Sequence, residues 1–291
     1  MMNTPYDYLR VTTKDGLRLS GLAHFGHLEK KAYLFIHGFT TDFYSHPFYH
    51  AVALALKESG NTFVLAQTRG TGLETEFSNA SGKSVNIGSY FEQLEDAHLD
   101  ISAFIQELAS RGYGQVCLIG HSLGTLKAVR YLKEGAHPDL VQKLVLLAPF
   151  DKNAFLERKA PGSWQVFLDR ATEMVSQGNG REIVPVPEME DFPMSFQTFL
   201  SWYTQSDVNC IWDFYRSGYD FPGLKGITVP VKVILGDKDP FVVYPEFGVD
   251  SRQALKLIQQ HIPQCETTLL EGCNHTFDGF ESRIGYEVAN G

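Results

Sequence analysis

The chain has 291 residues, of which 43% are hydrophobic and 20% are charged, and its formal net charge is −9. That length and apolar share are enough for one large core, or for one domain with an inserted subdomain. An acidic chain without a cluster of lysines and arginines is a poor partner for nucleic acid or an anionic membrane, and no apolar run approaches the length of a membrane span.

The N-terminal residues lack the pattern of a secretory signal and show the alternation of strands. "MMNTPYDYLRVTTKDG" lacks the basic-then-apolar order of a secretory signal, so we expect a cytoplasmic protein. The alternating runs "YLRVTT" and "LRLSGLAHF" flank Asp15-Gly16, which predicts a β-hairpin.

Strand and helix patterns alternate after the hairpin. Short, wholly apolar runs predict buried strands at 32–38, 62–67, 115–120, 142–149, 231–236 and 266–272. Amphipathic runs predict helices at 46–59, 89–112, 123–135, 251–262 and 278–289. Apolar strands separated by such helices indicate an α/β fold, in which a parallel sheet is covered on both faces.

Two helices carry start signals. Ser89 and Glu92 have the spacing of a capping box, and Gly112 marks the other end of that helix. Ser45 is the candidate N-cap of the helix over 46–59.

The segment 150–228 departs from this alternation. It contains all three tryptophans, many other aromatic residues and several prolines, and it lacks a clear strand pattern. We predict that it is a mainly helical cap, inserted into a core domain formed by 1–149 and 229–291.

A serine occupies the turn after the strand over 115–120. "LIGHSLGTL" (118–126) carries G-x-S-x-G, and a serine at so sharp a turn is expected to adopt positive φ. Gly120 and Gly124 suit the crowding on either side. The hydroxyl would stand at the carboxyl edge of the sheet, where ligands bind in open α/β folds. The helix that begins at Leu123 would point its N–H groups at an anion there.

With these features the sequence resembles the α/β-hydrolase superfamily, and the turn resembles its nucleophile elbow. The resemblance extends over nearly the whole chain outside the insertion. It implies a mostly parallel eight-stranded sheet with helices on both faces. It also implies that Ser122 is the nucleophile and that His121 packs behind the turn or lines the pocket.

The resemblance implies an oxyanion loop in "FIHGFT". The backbone N–H groups of Phe39 and Leu123 would stabilise the tetrahedral oxygen. His37 and Gly38 would shape the loop, and His37 is given no acid/base role.

The same resemblance implies an acid in "ILGDKDPF", where Asp239 follows Gly236 at the spacing of the superfamily. Asp237 and Asp151 are the rival acids. The general base would be His275 in "LLEGCNHTF", which gives the chain order Ser122, Asp239, His275.

A cysteine nucleophile is the alternative within the chain, because Cys273 lies two residues from His275. The four cysteines, Cys117, Cys210, Cys265 and Cys273, form no C-x-x-C pair and no zinc spacing. The chemistry implied by the resemblance, acyl transfer to water through an acyl-enzyme, needs no metal and no organic cofactor.

The aromatic-rich cap predicts an apolar pocket for a small-molecule ester with an apolar or aromatic acyl group. "HGFTTD" and "FEQLEDAHLDISAFI" resemble carboxylesterases of the feruloyl-esterase and serine-aminopeptidase-like groups. In "QTRGTG", Arg69 is expected to bond loop carbonyls, with a substrate carboxylate as its alternative partner.

Two other functions stay open. One is an aminopeptidase or amidase, in which Glu188, Glu190 or Asp191 of the cap would bind the substrate amine. The other is a ligand-binding protein on a hydrolase scaffold with little turnover. The sequence predicts neither the natural substrate nor the oligomeric state.

Overall fold

The computed structural model describes residues 6–27, 30–184, 192–215, 218, 220–242 and 244–290. It begins with the predicted hairpin, in which β1 (Asp7–Thr12) pairs antiparallel with β2 (Arg18–His24). The Leu17 N–H donates to Thr13 Oγ1 at 2.8 Å across the turn. Gly16 has φ +88°, a conformation that glycine adopts without strain.

Eight strands form one sheet. The others in this sheet are β3 (Lys31–Ile36), β4 (Thr62–Ala66), β7 (Gln115–His121), β8 (Val141–Leu147), β9 (Val231–Gly236) and β10 (Cys265–Leu270). Their order is β1-β2-β4-β3-β7-β8-β9-β10, with antiparallel pairs at β1/β2 and β2/β4 and parallel pairs elsewhere. The predicted mostly parallel, eight-stranded sheet is therefore confirmed.

A small hairpin of β5 (Glu76–Ser78) and β6 (Ser84–Asn86) lies outside this sheet. Sequence patterning misses it because a three-residue strand is too short to establish a period.

Helices cover both faces of the sheet. They are α1 (Pro47–Glu58), α2 (Ala97–Ser110), α3 (Leu123–Glu134), α7 (Ser251–His261) and α8 (Glu281–Asn290). Strand residues alternate between two apolar clusters, as the strand period requires. Leu34 and Ile36 join the cluster that contains α2 and α3. Tyr33 and Phe35 join the cluster that contains α1 and α8.

Both predicted N-caps are wrong. The helix expected over 89–112 begins at Ala97, because Ser89 Oγ donates to the Gly72 carbonyl at 2.7 Å and Glu92 forms an ion pair with Lys127. These long-range contacts replace the local capping box. The N-cap of α1 is His46, while the Ser45 hydroxyl lies 2.8 Å from the hydroxyl of Thr41.

The segment between β8 and β9 contains α4 (Lys152–Lys159), α5 (Trp164–Ser176) and α6 (Phe196–Tyr203). Contacts with residues 90–94 hold α6 in place: the Ser195 N–H donates to the Tyr90 carbonyl at 2.8 Å, and the Leu94 N–H donates to Ser201 Oγ at 2.7 Å. Division of the chain into a core and a separate cap domain stays a prediction. Within the described residues, no helix has both the length and the apolar character needed to cross a membrane.

An ion pair lies buried between α3 and the segment before α2. Lys127 Nζ contacts Glu92 Oε1, and both side chains are only 1% exposed. Glu92 Oε2 has no hydrogen-bond partner among the described residues. Removal of the lysine alone would therefore leave a buried carboxylate without its counter-charge.

We expect Lys127→Met to lower the free energy of unfolding by about 3–5 kcal/mol, since an unpaired buried charge is strongly destabilising. Urea unfolding at neutral pH measures this value. Arg170→Met is the matched control, because Arg170 pairs with Glu173 at the surface; it should cost less than about 1 kcal/mol. Equal costs for the two variants would contradict the burial of the Lys127 pair.

Candidate active site

Ser122 lies at the sharp turn from β7 into α3. Its backbone has φ 54° and ψ −123°, the positive φ expected from the sequence, and its N–H donates to the Leu147 carbonyl at 2.9 Å. A Cβ on Gly120 would lie 2.3 Å from the Gly124 carbonyl oxygen, and a Cβ on Gly124 would lie 2.3 Å from the Ile36 carbonyl oxygen. Only glycine fits at these two positions without movement of the backbone.

His275 and Asp239 are hydrogen-bonded to each other. His275 Nδ1 lies 2.8 Å from Asp239 Oδ2, and Asp239 Oδ1 accepts the Phe241 N–H at 2.8 Å. Asp239 follows β9 and is fully buried, whereas His275 follows β10 and retains 13% side-chain exposure. Since a carboxylate only accepts, Nδ1 carries the proton and Nε2 keeps the lone pair of the neutral ring.

Ser122 and His275 line the same cavity, whose volume is about 600 Å³. No hydrogen bond joins Ser122 Oγ to the imidazole in the described structure, and such bonds are often loose before substrate binds. The remaining described lining is rich in phenylalanine: Phe39, Thr40, Phe150, Phe155, Arg158, Lys159, Phe192, Pro240 and Phe241. The structure thus brings Ser122, His275 and Phe39 to one space, with Asp239 behind the histidine.

His121 packs behind the turn rather than in the cavity lining. Its Nε2 lies 3.0 Å from the His275 carbonyl oxygen, and its Nδ1 lies 3.0 Å from the Tyr49 hydroxyl. Because a carbonyl accepts, Nε2 carries the proton and Nδ1 accepts from Tyr49. Burial, with the nearby His275 as a smaller cause, holds the pKa of His121 well below its usual range. A neutral His121 therefore links the elbow to the loop of His275.

His37 is also a neutral, buried ring. Its Nδ1 lies 2.9 Å from the Gly38 carbonyl oxygen, and its Nε2 accepts from the Thr68 N–H at 3.2 Å and lies 2.9 Å from the Thr71 hydroxyl. Burial, aided by the charge of Lys127, lowers the pKa of His37 to about 3. The ring shapes the loop after β3, and Gly38 lets that loop approach the serine, because a Cβ there would lie 2.9 Å from Ser122 Cβ.

Two residues near the serine supply the backbone N–H groups expected to bind an oxyanion. Leu123 is the first residue of α3, and Phe39 follows Gly38 in the loop after β3. Neither N–H donates to another described residue. Thr40, the next residue in the loop, has φ 55°, a strained value for threonine. That the N–H groups of Phe39 and Leu123 act as oxyanion donors stays a prediction.

Both rival acids are engaged elsewhere. Asp237 Oδ1 accepts the Gly272 N–H at 2.6 Å within its turn. Asp151 caps α4 through the Asn153 and Ala154 N–H groups, and its Oδ2 accepts the Phe214 N–H at 2.7 Å. Burial raises the pKa of Asp151 to about 7, although these hydrogen bonds oppose the rise.

Other sequence expectations have different outcomes. Arg69 is buried and pairs with carboxylates, not with loop carbonyls; its partners are Asp15, Asp96 and Asp100. Burial raises the pKa of the Cys273 thiol to about 12. At neutral pH the group therefore stays a thiol, which is a poor nucleophile. Glu188, Glu190 and Asp191 lie outside the described residues.

Sequence reasoning missed most of the cavity wall. Phe150 directly follows a predicted strand, so its place at the sheet's carboxyl edge could have been inferred. Arg158 carried no such signal. It donates to the Pro240 carbonyl at 2.7 Å, pairs with Glu246 and lies 4.3 Å from the Tyr244 ring centroid. These contacts tie α4 to the loop that holds the acid.

Comparisons with known proteins agree with this architecture. Residues 33–284 match the sequence profile of the Alpha/beta hydrolase family. No curated protein sequence matches the chain significantly. Est1E from Butyrivibrio proteoclasticus, solved with ferulic acid bound, has a TM-score of 0.63 and 17% identity over 96% of each chain.

Two further solved structures are similar. The Pyrococcus furiosus esterase PF2001 has a TM-score of 0.60 and 18% identity, over 97% of this chain and 90% of its own. Naproxen esterase (carboxylesterase NP) from Bacillus subtilis has a TM-score of 0.55 and 16% identity, over 98% of this chain and 90% of its own. At these identities the likeness establishes a shared fold.

The crowding at the elbow generates a stability prediction. We expect Gly124→Ala to lower the free energy of unfolding by about 1–3 kcal/mol, because the added Cβ overlaps the Ile36 carbonyl despite alanine's higher helix propensity. Denaturant unfolding measures the change. Gly114→Ala, at a position with open space around the added Cβ, should change stability by under about 0.5 kcal/mol. A similar loss in both variants would argue against the close approach.

Asp151 generates a pH prediction. A carboxyl whose folded-state pKa is raised to about 7 stabilises the fold when protonated, so its contribution is lost as pH rises from about 4 to about 7. Wild type should lose more stability than Asp151→Asn over that range, by a few kcal/mol at about 1.4 kcal/mol per pKa unit. Urea unfolding at about pH 4.5 and about pH 7.5 compares the two proteins. Parallel losses would show that Asp151 does not titrate as described.

Proposed function

The chain belongs to the alpha/beta hydrolase family, and on that premise we propose that it is a serine hydrolase that cleaves small carboxylic esters through an acyl-enzyme. One observation carries the proposal: Ser122 shares its cavity with His275, whose imidazole is hydrogen-bonded to the buried Asp239. A nucleophile, a base and an orienting acid are the minimum set for this chemistry.

In the first half-reaction, Ser122 Oγ attacks the ester carbonyl and His275 Nε2 takes the serine proton. Asp239 accepts the hydrogen bond from Nδ1–H, which fixes the tautomer and stabilises the imidazolium. The imidazolium then gives its proton to the departing alkoxide, and the acyl group stays on Ser122.

In the second half-reaction, His275 takes a proton from water, and the resulting hydroxide attacks the acyl carbon. The carboxylic acid leaves, and the proton returns to Ser122 Oγ. The N–H groups of Phe39 and Leu123 donate to the developing oxyanion in both halves. The N-terminal end of α3 adds a favourable dipole at the same place.

The lining of the cavity supports an apolar or aromatic acyl group. Its phenylalanine rings exclude water from the acyl side, and a volume of about 600 Å³ lies within the range of small-molecule sites. Two solved relatives, Est1E with ferulic acid bound and naproxen esterase, support the same substrate class.

A fluorophosphonate tests the nucleophile directly. We expect one adduct on wild type by intact-mass analysis, no adduct on Ser122→Ala, and normal labelling of Ser110→Ala, an exposed serine of α2. Hydrolysis of p-nitrophenyl butyrate should fall by a factor of about 10³ or more in Ser122→Ala. Amino-acyl anilides, assayed in parallel with the ester, test the peptidase alternative, which predicts their hydrolysis. An unlabelled but folded wild type would instead favour the ligand-binding alternative.

The choice of acid needs its own variants. We expect Asp239→Asn to reduce kcat by about 10⁴, because it removes the negative partner of the imidazolium. Asp237→Asn and Asp151→Asn should stay within about tenfold of wild type, since neither side chain contacts His275. A larger loss of kcat in Asp237→Asn or Asp151→Asn than in Asp239→Asn would identify that residue as the acid instead.

A further inference from the structure

The cavity contains five phenylalanine rings, and the ring of Phe192 contacts each of the other rings. It lies parallel to Phe39 with centroids 5.1 Å apart, and nearly parallel to Phe150 at 5.5 Å. Phe155 and Phe241 lie 4.3 and 5.8 Å away. Phe192 is therefore the centre of the aromatic wall.

The rings differ in their exposure to the cavity and in their links to the proposed chemistry. Phe150 and Phe155 are buried, whereas Phe39, Phe192 and Phe241 are half-buried. Phe39 belongs to the proposed oxyanion loop. Phe241 donates its N–H to Asp239, and its ring lies 4.7 Å from that of His275. Phe192 comes from the segment between β8 and β9 and carries none of the proposed catalytic groups.

On the C-terminal side of Phe192, the backbone is held by hydrogen bonds that do not involve its ring. Two residues farther along, the Met194 carbonyl accepts the Val184 N–H at 2.9 Å, and the Ser195 N–H donates to Tyr90. The Phe39 ring also packs against the buried Trp202, with centroids 4.9 Å apart. A smaller residue at 192 would therefore open space while the anchored backbone and the Phe39 loop stay supported.

We propose that Phe192 is a specificity-determining residue that limits the length of the acyl group. This inference rests on the proposed ester hydrolysis. The ring occupies the volume at the centre of the wall into which a longer acyl chain would extend. Removal of the ring converts that volume into apolar pocket, and each further buried methylene then favours the longer substrate by about fourfold.

The experiment compares p-nitrophenyl acetate, butyrate and octanoate as substrates of wild type, Phe192→Ala and Phe192→Leu. We expect the ratio of kcat/KM for octanoate to that for butyrate to rise about tenfold or more in Phe192→Ala, with a smaller rise in Phe192→Leu. Phe167→Ala is the matched control, because Phe167 is a half-buried phenylalanine of α5 that lines a separate cavity with Met174 and Phe196. Its ratio should equal that of wild type.

The alternatives give different results. An equal fall in kcat for all three esters, with an unchanged ratio, would mean that Phe192 supports the Phe39 loop, and would overturn the size role. Unchanged kinetics would overturn it as well. If thermal melting shows that Phe192→Ala is unfolded, the octanoate-to-butyrate ratio of Phe192→Leu decides whether residue 192 limits acyl length.

Fluorophosphonate labelling separates this inference from the proposed function. A wild type that is labelled and hydrolyses esters, but whose octanoate preference does not respond at position 192, overturns only the inference. A wild type that is neither labelled nor active overturns both.

Discussion

The first turn of α3 packs directly on the end of β3, with no side chain between them. A Cβ on Gly124 would overlap the Ile36 carbonyl, and a Cβ on Gly120 would overlap the Gly124 carbonyl. This close approach forces the positive φ of Ser122 and holds its hydroxyl at the carboxyl edge of the sheet. The parallel strands β3, β9 and β10 end at the same edge, so the loops that carry Phe39, Asp239 and His275 begin beside this turn.

The segment between β8 and β9 contributes to that frame as well as covering it. Arg158, at the end of α4, contacts the Pro240 carbonyl next to Asp239. At the start of α4, the Asp151 carbonyl accepts the Tyr244 hydroxyl at 3.1 Å. The acid loop is thus attached to both ends of one helix. A displacement of α4 would be transmitted to the carboxylate that orients His275.

Much of this arrangement could be predicted from the sequence, because its signals are local. The wholly apolar strands, the glycines around Ser122 and the positions of Asp239 and His275 after their strands can each be recognised within a few residues. The failures have long-range causes. Ser89 and Glu92 match a capping box, but their side chains bind Gly72 and Lys127 instead. The aromatic-rich segment predicted an apolar pocket but not which rings line it, because Phe39, Phe192 and Phe241 come from elements that are distant in the chain and no sequence spacing records their convergence.

Three of the imidazoles in and near the serine turn, those of His37, His121 and His275, differ in their burial and hydrogen bonds. His37 and His121 are buried, each with both nitrogens engaged, and burial lowers the pKa of each far enough to keep the ring uncharged at neutral pH. Neither ring has a free lone pair for the serine proton. In the proposed mechanism His275 alone of the three takes the serine proton, and the two neutral rings act as fixed dipoles beside it. In that mechanism the imidazolium of His275 is the one charged ring of the three.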